Sequence, residues 1–163
     1  MTEVVSQWND FNVAMAGASA ALAGLVIVAA SVNIREIVAA GTLTARLAAA
    51  IATLVLALVV SAVGLIPGVG LLGYGAITIV ATVGAAWFQA HATLVILRDP
   101  EPQQRARIPK SVLGALPIAA YLAAGLMMLG GLPNGLLLAA VGCLVAIVSA
   151  ILVSWIALVE VLR

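Results

Sequence analysis

The sequence predicts an all-α integral membrane protein, one bundle of five transmembrane helices with its N-terminus out and its C-terminus in. Three observations predict it. The composition is 65% hydrophobic and 8% charged, with a mean hydropathy of +1.28, whereas charged residues make up about a quarter of a soluble domain. Five apolar runs, 11–33, 47–66, 69–97, 112–132 and 136–159, hold no charged residue, and each reaches the roughly 20 residues that span a ~30 Å hydrocarbon core. The seven basic residues all fall on one side once these runs are taken as crossings: Arg35 and Arg46 between the first two, Arg98, Arg105, Arg107 and Lys110 between the third and fourth, and Arg163 at the end. The positive-inside rule then sets the orientation. An ionised side chain at mid-bilayer costs at least about 2.5–3.5 kcal/mol, so charge-free runs point to ordinary lipid-facing helices rather than a charge-paired transport core.

The first ten residues carry Glu3 and Asp10 but no Lys or Arg, and a secretory signal begins with a basic region. Run one is therefore expected to stay as a helix, with Trp8 ahead of it as an interfacial anchor. Pro67-Gly68 joins runs two and three, and the stretch from Gly130 to Gly135 joins four and five. Both connections are tight enough to make antiparallel hairpins. A re-entrant pair in place of helices two and three would leave three full crossings and the same C-terminal side.

Run three is the longest, so it must tilt or extend beyond the hydrocarbon. Trp87-Phe88-Gln89 suggests extension, which puts His91 in the headgroup layer; a tilt would bury His91 shallowly. The segment 98–110, RDPEPQQRARIPK, is too short to bury a core, and its three prolines disfavour a helix through it. It reads as a cytoplasmic linker within a single membrane domain that covers 1–163. Pro117, well inside run four, frees a backbone carbonyl and predicts a packing bend.

Small residues recur every fourth position at Ala16, Ala20 and Gly24 in helix one and at Gly142, Ala146 and Ala150 in helix five. Lipid tails are as apolar as leucine, so helices associate by close backbone approach, which such ridges allow. Each ridge is open to a partner in its own chain or in a second subunit. At about 100° per residue, Tyr74, Thr78, Thr82, Gln89 and Thr93 share one arc of helix three. That stripe either lines a hydrated path or consists of threonines bonded to their own backbone with Gln89 at the interface; the second reading is favoured. Helix one carries Asn12, Ser19 and Asn33 on one face, of which only Ser19 is expected to lie deep.

Three titratable groups, His91, Glu160 and Glu36, approach the inner interface. A His–carboxylate pair there would sense pH or relay a proton, because histidine titrates near neutrality. Solvated groups at the ends of helices explain the same residues without a function. One His and one Cys do not supply a metal site of the usual kind, no phosphate-cradling or HExxH pattern occurs, and no cofactor is expected. Catalysis is not expected, since a serine nucleophile would have no oriented base. The lone Cys143 reads as packing. The net charge of +1 gives no reason to expect nucleic acid; the basic loop sits naturally against anionic headgroups of the lipid bilayer.

From Trp8 to Asn33 the chain reads W-x-x-F, then A-A-L-x-G-L, then V-x-x-S-x-N, carried by Trp8, Phe11, Ala20, Ala21, Leu22, Gly24, Leu25, Val28, Ser31 and Asn33. This segment resembles the opening of a family of small actinobacterial multi-pass membrane proteins, some labelled "modulator of FtsH protease". The likeness continues through Arg46 to Leu65-Ile66-Pro67-Gly68 and fades beyond. It implies a bacterial plasma (inner) membrane protein without catalytic residues and offers no binding residue to carry over. The expected function is that of a noncatalytic accessory or regulatory partner of a membrane complex or protease, acting by helix packing as a homo-oligomer or with another membrane protein. The alternative is a homo-oligomeric channel or small-solute transporter built on the polar stripe of helix three.

Overall fold

The computed structural model describes residues 2–39, 41–98 and 107–161, with side-chain surroundings for 3–39, 42–95, 114–156 and 159. The described residues are helical apart from short turns. A short α1 (Thr2–Ser6) precedes α2 (Asn9–Val32), α3 (Ile34–Ala39), α4 (Gly41–Gly64), α5 (Leu71–Arg98), α6 (Arg107–Leu129) and α7 (Asn134–Val161). Four segments are long and apolar enough to cross a membrane: Asn9–Val32, Thr42–Gly64, Leu71–Val95 and Asn134–Ile156. In α6 the described apolar stretch is shorter, Gly114–Leu129. Much of the linker expected at 98–110 lies outside the described residues, which resume with α6 at Arg107.

The turns follow from their residues. At Ile66-Pro67-Gly68-Val69 the Val69 N–H donates to the Ile66 carbonyl at 3.3 Å, and Gly68 has φ 82°. Proline presets the first central φ of a type II turn, and glycine alone takes the positive second one without strain. α6 ends in a Schellman motif: Leu132 N–H donates to Met127 O at 2.9 Å, and Gly131 N–H to Met128 O at 3.0 Å. Gly131 supplies the left-handed residue, at φ 74°, that this cap requires.

α4 to α7 form a ring in which each helix packs on the next and α4 closes on α7; α2 lies outside it, against α4 with a lesser contact to α7. Two buried apolar clusters fill the bundle. The larger, around Leu56, Ala57, Leu71, Met128 and Ala146, lies toward the end that carries both turns and includes Val5 of α1. The other joins Ala23, Val26, Ile37, Leu47, Leu54 and Ala150 toward the opposite end. Large apolar side chains such as Leu25, Val80, Val83, Trp87, Val148 and Trp155 are exposed on the outside. In water that surface would be an aggregation hazard; in lipid it is the solvated face.

α4 begins before the apolar run that marks it, so Arg46 lies inside the helix and is 8% exposed. Hydropathy falls at 41–46 while the backbone stays helical, so the helix starts ahead of the apolar run that begins at Leu47. Arg46 is set into the bundle among polar side chains rather than against lipid, which is how a membrane helix accommodates a cation near its end.

A polar cluster beneath the turn end

The buried polar residues collect at two levels. Near the turn end, each of the five long helices contributes. α2 brings Asn12 and Ser19, α4 brings Ser61, α5 brings Tyr74, α6 brings Tyr121 and α7 brings Cys143, and all are buried. Asn12 and Tyr74 each lie about one turn inside the start of their helix, and Ser61 one turn before the end of α4; Tyr121 and Cys143 lie about two turns deep. Gly64 makes the meeting of α2, α4 and α5 possible: a Cβ there would strike the Asn12 amide and stand 3.0 Å from the Tyr74 hydroxyl oxygen.

The cluster is electrically neutral. Asn12 approaches the Tyr74 hydroxyl, and the Cys143 thiol sits among the hydroxyls of Tyr121, Ser61 and Ser19. Proximity stops short of hydrogen-bond geometry at three atoms: Asn12 Nδ2, Ser19 Oγ and Tyr121 Oη have no partner. Asn12 and Tyr121, but not Ser19, line a cavity of about 10 Å³ whose walls also include Trp8, Phe11, Ser61, Tyr74 and Cys143. Trp8 and Phe11, two of its lining residues, stand edge to face with ring centroids 5.9 Å apart and planes at 89°. Such a set donates and accepts hydrogen bonds, but it contains no carboxylate or imidazole to act as a general acid or base.

Asn12 departs from the expectation that only Ser19 of α2 lies deep: Asn12 is 4% exposed and Ser19 fully buried. Position near a helix end suggested water, yet Val5 and Trp8 pack over the bundle at this end and cover it. A signal was present in the sequence. The only two tyrosines of the chain, Tyr74 and Tyr121, both lie within apolar runs, and a buried tyrosine hydroxyl usually finds a polar partner. Trp8 itself is half-buried and packs against the larger apolar cluster.

The second level lies toward the linker end, where Arg46, Thr53, Gln89, Gly114 and Ser149 line a cavity of about 40 Å³. Gln89 lies flat across Gly114, whose missing side chain leaves the space. Between the two levels run Thr78 and Thr82, 0% and 1% exposed. Their hydroxyls donate to carbonyls of their own helix, Thr78 to Tyr74 O at 2.8 Å and Thr82 to Thr78 O at 2.6 Å; half-buried Thr93 does likewise to Gln89 O at 2.9 Å. The stripe on α5 therefore faces the interior of its own chain. His91 is exposed. Glu36 is exposed on α3, and the side chain of Glu160 lies outside the described residues.

The two small-residue ridges go to different places. Gly142, Ala146 and Ala150 are buried, and a Cβ on Gly142 would touch Ala120 Cβ at 3.3 Å. On α2 the inward face is Asn12, Ser19, Ala23 and Val26. Ala16 is half-buried, Ala20 and Gly24 are exposed, and Gly17 and Gly24 have nothing within 4 Å of where a side chain would begin. An apolar groove of about 530 Å³ also runs between α4 and α5, lined by Ala48, Ala52, Val55, Gly84, Ala85 and Phe88. Among the described residues, no three His, Cys, Asp or Glu side chains converge to hold a metal ion. Comparison of the chain with protein-family models, with curated proteins and with solved structures finds no match.

Proposed function

We propose that the chain is a noncatalytic integral membrane protein that acts by helix packing, as an accessory or regulatory partner of a larger membrane complex or protease. In this reading it crosses a bacterial plasma membrane five times, with the turn end outside and the linker inside. Membership of the small actinobacterial family that its first helix resembles is part of the same proposal.

The observation that carries it is the outward face of α2. Ala14, Gly17, Ala21 and Gly24 are exposed at alternating spacings of three and four, the repeat of a left-handed helix–helix seam. Nothing in the chain covers the two glycines. Without side chains there, a partner helix can approach the backbone closely, which is how helices associate in lipid. The test is the mass of the protein extracted in native lipid particles, compared with that of Gly24→Leu. A homo-oligomer or a stoichiometric foreign subunit, lost on substitution, supports the reading. Unchanged association of Gly24→Leu would sink it.

A channel or small-solute carrier is the second reading, and the polar levels at either end of the α5 stripe are what favour it. Burial of Tyr74, Thr78 and Thr82 inside the chain argues for a path within one subunit over a pore between subunits. The closely packed level between the two cavities, with Ala57 and Ala146 fully buried, weighs toward the packing role.

A further inference from the structure

Two residues of the turn-end cluster that carry unpartnered polar atoms line one small space. Asn12 Nδ2 and Tyr121 Oη have no hydrogen-bond partner, their residues are 4% and 0% exposed, and both residues line the same cavity of about 10 Å³. A space must offer roughly 10–15 Å³ of this kind to admit a water molecule, and the water needs two to four polar partners. The volume sits at that threshold. The partners are at hand, because Ser61, Tyr74 and Cys143 line the same walls.

We propose that this cavity is a binding site for a single water molecule, held by Asn12 and Tyr121 beneath the Trp8–Phe11 pair. The sense of the hydrogen bonds selects the ligand. An amide N–H asks for an acceptor, while a phenol both donates and accepts; water answers both, and a metal cation would leave the amide donor facing a positive charge. If the amide is turned so that its oxygen faces the cavity, water donates where it accepted before, and the site still closes. Larger solutes have no room. Bound there, the water joins α2 to α6, two helices with little direct packing on each other, and brings Tyr74 and Cys143 within the same network. The site thus fastens α2 to the four-helix ring while leaving its outward face free.

The sign of a stability change separates a wet site from a dry one. If the two atoms are dry, Tyr121→Phe removes an unsatisfied buried hydroxyl and the protein gains stability; if a water joins them, the same change loses a hydrogen bond and stability falls. Nuclear magnetic resonance of the full chain in lipid nanodiscs gives the direct readout. We expect a cross-peak between the Asn12 side-chain amide protons and water, of the sign that marks a long-lived water, and its loss in Tyr121→Phe. The thermal midpoint of Tyr121→Phe should fall, and Asn12→Leu should add little further loss on that background, because one water serves both residues. Absence of the water cross-peak in the unaltered chain would overturn the proposal, as would a higher midpoint for Tyr121→Phe. Should either variant fail to insert, the cross-peak of the unaltered chain decides alone.

Discussion

Gly75 and Gly125 meet backbone to backbone where α5 crosses α6. A methyl group on Gly75 would stand 2.9 Å from the Gly125 carbonyl oxygen, and one on Gly125 would stand 3.2 Å from the Gly75 carbonyl oxygen. The two sites are not equivalent. The other obstacles at Gly75 are the Met128 Cβ and the Leu129 nitrogen, both part of or next to the α6 backbone, whereas the nearest at Gly125 is the Ile79 side chain. Overpacking a helix crossing costs about 1–3 kcal/mol, partly offset by the better helix propensity of alanine. Gly75→Ala should therefore lower the thermal midpoint of the protein in lipid particles, and Gly125→Ala should lower it less. Equal midpoints for the two variants would contradict this crossing.

The two small-residue ridges make opposite predictions for the same substitution. Gly24→Leu places its side chain where nothing lies within 4 Å, so the folded chain should keep its thermal midpoint while losing its partner. Gly142→Leu drives the side chain into Ala120 and Tyr121, so the fold itself should weaken, by about 1–3 kcal/mol. Size-exclusion mass and thermal unfolding, measured on both variants, separate the effects. A fall in midpoint for Gly24→Leu would mean that α2 does not present this face outward.

Why the sequence could not tell these ridges apart is physical. In water, the inward face of a helix is apolar and the outward face polar, so burial leaves a period in the sequence. In lipid both faces are apolar, and Leu25 outside looks no different from Leu56 inside. What survives is coarse: long runs, the Pro-Gly and Gly-Gly turns, and the side on which basic residues collect. Thr78 and Thr82 were legible as one face because hydroxyls break the uniformity. The polar cluster was not, since it takes one or two residues from each of five helices and has no local spacing. Gly75 and Gly125 were equally silent, because a glycine at a crossing and a glycine facing lipid are the same letter. Asn12 was misjudged because a helix end is not a wet place when Val5 and Trp8 cover it.

Thr78 and Thr82 bond within their own helix, and that sets what their replacement does. Valine keeps the shape and removes only a hydroxyl that donates to a carbonyl one turn back in its own helix, a local bond that adds little to helix stability. Thr78→Val and Thr82→Val should thus leave association intact and shift the midpoint little. Single cysteines at either position, in a Cys143→Ala background, should resist a water-soluble thiol reagent. Ready labelling at Thr78 would instead favour a hydrated path through the subunit.

Gln89 offers the sharpest pairwise test, because its amide occupies the space that Gly114 leaves. A Cβ on residue 114 would lie 2.5 Å from Gln89 Nε2 and 2.6 Å from Oε1, so Gly114→Ala cannot keep the amide in place. Displaced, the amide must swing toward the Arg46 cavity, which has about 40 Å³ of space, or leave the interior. Either response disturbs the setting of Arg46, Thr53 and Ser149, but the displaced group is the far end of a flexible side chain, so Gly114→Ala should cost less than the backbone clash of Gly75→Ala. Shortening the offending side chain removes the conflict: Gln89→Ala should be mildly destabilising alone yet restore most of the loss when combined with Gly114→Ala. The double-mutant cycle is then expected to show a favourable coupling within the usual range of about 0.5–3 kcal/mol for residues in contact. Additive losses would mean that Gln89 does not rest on Gly114, and that α5 and α6 pack differently at the linker end.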